Sequence, residues 1–142
     1  MHPVGAVTHD HPPLGAKFVQ AAQLLATHLS DHALSEPAAL EVNSKTHQSR
    51  STVQVSSRTL AGIAAELLAW ADTLTTVTVQ AWRPPTGNRV HLSMLSTLAG
   101  PVELTVYGGA PHDPTLLGDL APNEYRAVTL GELRTWCERA SR

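Results

Sequence analysis

The chain has 142 residues, 42% of them hydrophobic and only 15% charged, with a formal net charge of −2. That length fits one domain, and a domain of this size buries roughly two-thirds of its unfolded surface, so it needs neither disulfides nor a structural metal to hold a core. The charged fraction is well under the usual ~25%. With so small a net charge no global field steers the chain toward nucleic acid or an acidic membrane, and the sparse charge offers little repulsion against self-association.

Cys137 is the single cysteine, so no intramolecular disulfide or paired-cysteine zinc motif exists. No basic segment followed by an apolar run opens the chain, and no stretch approaches about 20 apolar residues. These features predict a cytoplasmic protein with no membrane span. Lys17 and Lys45 are the only lysines, which points to a GC-rich actinobacterial or phage source.

Residues 1–13 hold His2, His9, Asp10 and His11 among prolines, without periodicity, and read as a disordered tail. The remainder, 14–142, reads as a single α+β domain. Residues 14–34 predict a helix with Leu14, Phe18, Ala21, Leu25, Leu29 and His32 along one stripe. Glu36-Pro37 ends it, because the residue before proline avoids helical backbone. Leu40 and Val42, then Val53 and Val55, alternate with polar neighbours and predict a hairpin over 38–57. Ser57 is expected to cap a helix over 58–72 with an inward face of Leu60, Ile63, Ala64, Leu67, Ala71 and Leu74. The opposite side carries small residues, Ala61, Gly62, Ala65 and Ala69, which allow close approach of another helix or a second subunit.

Residues 75–107 predict a three-stranded antiparallel meander. Val77, Val79 and Ala81, then Val90, Leu92 and Met94, then Val102, Leu104 and Val106 each alternate with polar residues, as in a sheet covered on one face. Gly108-Gly109 is expected to end the third strand. Residues 110–124 read as a loop, and Tyr125–Val128 as a short further strand. Thr129 and Glu132 form a capping box before a last helix with Leu130, Leu133, Cys137 and Ala140 inward. The predicted fold is an antiparallel or mixed sheet of five to six strands, hairpin plus meander, with about three helices on one face. The segment from the 53–55 strand through the second helix to the 75–83 strand is expected to be a crossover.

No cofactor is implied: neither a glycine-rich phosphate loop nor a nucleophile elbow occurs. His28 and His32, one helical turn apart, are the best metal-ligand candidates. They lack a third ligand unless His47, His91 or His112 supplies one, and a satisfied helix-edge histidine pair is the simpler reading. His112-Asp113 in the long loop, with His91, is the candidate for an enzyme site. It is a weak one, because adjacent side chains seldom face each other.

The alternation turns Trp82, Arg89, His91 and Tyr107 to the solvent side of the meander, beside Arg83. Trp82 is expected opposite Arg89 or His91, and Ser93 opposite Tyr107. Trp, Tyr and Arg are the residue types of protein interfaces. The preferred reading is therefore a non-enzymatic interaction or regulatory module, homodimeric, working through Trp82, Arg83, Arg89, His91 and Tyr107 or through the alanine ridge of the second helix. The alternatives are an accessory nucleic-acid binder using Trp82, Arg89, His91 and Tyr107, and a small enzyme near His91 and His112. The missing basic excess ranks nucleic acid below a protein partner.

Overall fold

A computed structural model describes residues 14–44, 49–98 and 102–140. The expected N-terminal tail lies outside them. The chain forms α1 (Leu14–Asp31), β1 (Ala39–Ser44), β2 (Ser49–Gln54), α2 (Leu60–Ala71), β3 (Thr78–Trp82), β4 (Arg89–Thr97), β5 (Glu103–Pro111), the one-turn α3 (Pro114–Leu117), β6 (Tyr125–Val128) and α4 (Leu130–Ala140). This is the expected α+β class.

The six strands make one mixed sheet in the order β1-β2-β5-β4-β3-β6. Every neighbouring pair is antiparallel except β2 and β5. The β2-α2-β3 connection joins parallel strands, but these are not neighbours: β5 and β4 lie between them. The helix explains how this is tolerated, since α2 packs over the two strands the connection passes. The α1 helix covers β1 and β2, and α4, following edge strand β6, packs beside α2. The core is sealed between these helices and the apolar strand face, with Val53, Ile63, Leu67, Leu92, Met94, Val106 and Leu133 fully buried.

Several local expectations are corrected. The α2 N-cap is Thr59, whose side chain accepts from Gly62 N–H, not Ser57. Ser57 N–H instead donates to the Glu66 carboxylate at 2.9 Å, folding the approach segment back on the helix. A Cβ on Gly62 would lie 1.9 Å from Ser57 Oγ, so this glycine makes room for that fold-back.

Trp70 and Trp136 are core residues, 2% and 3% exposed, and the sequence stripes omitted both. Ala140, expected inward, is exposed. The α1 stripe is rotated: Ala21 and Leu25 are buried, whereas Phe18 is 44% exposed. The small-residue side of α2 is partly occupied by α4, with Cys137 Sγ 3.7 Å from the Ala61 carbonyl oxygen. Ala65 and Ala69 stay exposed. Gly108-Gly109 does not end a strand, because β5 runs through both to Pro111.

Candidate functional site

The long helices all lie on one side, so the reverse face of the sheet has no helix over it among the described residues. Cross-strand pairing orders that face in rows. Tyr125 pairs with Trp82, Trp82 with His91, and His91 with Gly109. In the next row Gln80, Ser93, Tyr107 and Gln54 stand side by side. Thr78, Leu95, Thr105 and Thr52 follow. The expected partners, Trp82 with His91 and Ser93 with Tyr107, are both present.

The first row is an aromatic rack. The Trp82 ring stacks on Tyr125 with centroids 5.7 Å apart and an interplanar angle of 21°. It meets His91 at 5.6 Å and 43°. Such offset contacts between flat rings are favourable beyond simple area burial. The rack continues into Arg89, whose Nη2 would stand 3.2 Å from a Cβ on Gly109. A missing side chain at Gly109 thus gives the guanidinium a shelf beside His91. Arg89 makes no ion pair with any described residue. Tyr107 shares the face but stands one row away, beside Ser93.

Tyr125 was absent from the sequence-derived site. Its alternation with Arg126 is visible over only four residues, and its contact with Trp82 depends on a strand pairing across 43 residues of chain. It is the most exposed large apolar side chain described, at 59%, and Leu95 on the same face is 45% exposed.

Arg83 does not join the rack. It follows Trp82 on the other side of the strand, and its Nη1 donates to the Leu120 carbonyl at 2.7 Å, anchoring the loop before β6. Arg126 likewise pairs with Glu132 of α4, and Arg50 with Glu103 at 2.9 Å. Of the arginines around the sheet, Arg89 alone offers an unpaired cation to this face.

The histidine pair lies elsewhere, where α1 meets the end of α2. His28 and His32 rings are 4.5 Å apart, and His28 stacks on Trp70 at 5.6 Å. His28 Nε2 is 2.7 Å from Thr73 Oγ1. The Thr73 hydroxyl has one proton and donates it to the Trp70 carbonyl at 2.6 Å. His28 Nε2 must therefore carry the hydrogen and donate, and Nε2 is not open to a metal. Burial, then the neighbouring His32, pushes the His28 pKa down, with Asp31 opposing. No group of three His, Cys, Asp or Glu among the described residues stands close enough to hold a metal ion. His47 lies outside the described residues.

The His112-Asp113 pair also separates. Asp113 caps α3, accepting from Thr115 N–H at 3.0 Å and from Thr115 Oγ1 at 2.6 Å. His112 holds the loop by donating its backbone N–H to the Asn88 carbonyl at 2.9 Å. Burial, with help from Glu138, pushes the Cys137 thiol pKa up, which is unfavourable for a nucleophile. Comparison with known proteins finds no family model, no curated protein and no solved structure that matches this chain.

Proposed function

We propose that this chain is a non-enzymatic, cytoplasmic interaction module that docks a partner protein on its open sheet face. The observation that carries this reading is the segregation of the helices to one side. It leaves Tyr125 59% exposed on the other beside the half-buried Trp82 and His91, and Leu95 45% exposed two rows along the same face. Aromatic anchors set among neutral Thr, Ser and Gln suit a protein interface with an apolar centre and a polar surround. Arg89, on its glycine shelf, supplies one directional contact for a carboxylate of the partner. Nucleic acid fits less well, because Arg50 and Arg126 are paired with carboxylates and Arg83 is tied to the Leu120 carbonyl, so Arg89 alone of these arginines is uncommitted on this face.

The reading is tested by photo-crosslinking in the host cell from Tyr107 and Thr78, with Arg134 on α4 as the control position. The expected result is one crosslinked protein, specific to the sheet-face positions. With that protein purified, Trp82→Ala and Tyr125→Ala each weaken binding by about tenfold or more. Crosslinking no greater than from Arg134, or crosslinking to RNA instead, overturns it.

A further inference from the structure

The sheet has a second uncommitted surface, at its β1 end, and its chemistry differs from that of the aromatic face. β1 is the terminal strand, and its outer edge has no strand partner among the described residues. Proteins that stay monomeric guard such an edge with lysine, proline, bulges or a very short strand. β1 has no lysine, proline or bulge among its six residues, and Glu41 is its one charged side chain. The strand, ALEVNS, pairs with β2 without interruption from Ala39 to Ser44.

The α1 helix lies directly above this edge. One flank of α1, with His28 and Leu24, faces α2 and Leu98. The opposite flank, away from α2, carries Phe18, Val19, Ala22 and Ala26 at spacings of three and four, which places them on one surface. Phe18 is 44% and Val19 51% exposed, and Leu40 of β1, turned to the same layer by its pairing with Val53, is 49% exposed. Three of the five exposed large hydrophobic residues described thus gather at this one edge. No Asp, Glu, Lys or Arg interrupts α1 between Phe18 and Ser30.

We propose that this surface binds a second copy of the same chain, β1 against β1 in antiparallel register, with the two α1 helices closing over the seam. A two-fold axis perpendicular to the sheet makes such a contact self-complementary. Polar pairing distinguishes an axis at Val42 from one at Glu41. With the axis at Val42, Glu41 faces Asn43 of the partner subunit on both sides of the axis, a donor against a carboxylate. The same two groups already bond along one strand, Asn43 Nδ2 to Glu41 Oε1 at 3.0 Å. Moving the axis to Glu41 would set two carboxylates directly opposite, which is destabilising. The dimer carries both sheets side by side, so its two aromatic racks face the same way. The pairing does not depend on what those racks bind.

The test is the mass of the intact chain in solution by light scattering over a concentration series, with four variants. The wild type is expected to dimerise at micromolar concentrations. Phe18→Glu and Leu40→Lys, both at positions already exposed in the single chain, are expected to raise the dimer dissociation constant by at least about tenfold, with an unchanged circular dichroism spectrum. Trp82→Ala is expected to leave dimerisation unchanged. Val42→Cys in a Cys137→Ser background is expected to give a covalent dimer on mild oxidation. Residues directly opposed across an antiparallel pair have Cα atoms about 4.5–5.5 Å apart, within the span a disulfide bridges. A chain that is monomeric at every concentration overturns the proposal. So does a dimer indifferent to Phe18→Glu and Leu40→Lys, or one broken by Trp82→Ala.

Discussion

Ile63 of α2 rests directly on the backbone of Gly108 in β5: a Cβ at that glycine would lie 2.9 Å from Ile63 Cδ1 and 2.8 Å from Val55 Cγ2. The helix therefore reaches the middle of the sheet because one strand residue has no side chain. Its neighbour Gly109 opens the other face, where the nearest atom is the far end of the Arg89 side chain, at 3.2 Å, with His91 Cε1 and the Val90 carbonyl at 3.9 Å. One Gly-Gly pair thus lets α2 seat on one side and Arg89 on the other.

The two glycines should respond differently to the same substitution. Gly108→Ala pushes a methyl group into buried, close-packed Ile63 and Val55, and is expected to destabilise the fold by about 1–3 kcal/mol. At Gly109 the arginine can swing aside, so Gly109→Ala is expected to change stability by no more than about 0.5 kcal/mol. Urea denaturation of the two variants checks this. Equal losses would refute the assignment of the two faces.

The His28 contact predicts a pH dependence. Burial holds the imidazole pKa below its ordinary value in the folded state, so the unfolded chain binds the proton more readily. Stability then rises with pH wherever the unfolded state carries more protons. It is fully present above the ordinary histidine pKa of about 6.5 and is lost as pH falls through the lowered folded value. The urea midpoint is expected to drop between neutral and mildly acidic pH, and to drop less in His28→Gln. Thr73→Val, which leaves His28 Nε2 without an acceptor, is expected to cost about 1–2 kcal/mol at neutral pH.

At the start of α4, Thr129 Oγ1 accepts from Glu132 N–H and Glu132 Oε1 accepts from Thr129 N–H, both at 3.0 Å. The Thr129 N–H bond, followed by Arg126, holds the Glu132 carboxyl below its usual range despite opposing burial. For such a group the stabilisation exists above the unfolded pKa and disappears as pH falls through the folded one. Thr129→Ala is expected to cost about 1 kcal/mol at neutral pH. Glu132→Gln should flatten the acid limb of the stability profile, measured by thermal melts from neutral pH downward.

The three tryptophans should separate by quenching. Trp70 and Trp136 are 2% and 3% exposed, whereas Trp82 lies half-buried on the sheet face. Acrylamide is expected to quench mainly Trp82. The residual emission of Trp82→Phe should resist quenching, and if it quenched as readily as wild type, the rack would not be open to solvent.

Much of this architecture is written in local periodicity. Val79, Leu92 and Val106 alternate with Gln80, His91 and Tyr107, and a period of two forces them to opposite faces. The Thr129-Glu132 cap and the apolar run from Leu60 to Leu67 are equally local signals. From these alone follow the α+β class, a sheet buried on one side, and Trp82, His91 and Tyr107 on the other. What sequence spacing cannot encode is which distant segments meet. Placing β5 beside β2, stacking Tyr125 on Trp82 and tying Arg83 to Leu120 are each decided by burial summed over the whole sheet. Trp70 and Trp136 are buried for the same reason: Trp70 stacks on His28 where α1 meets α2, and Trp136 lies on α4, which packs beside α2, and both sites exist only once the helices have packed. Gly108 reads as a strand end until α2 arrives, because a missing side chain gains meaning only from the atoms that occupy its place.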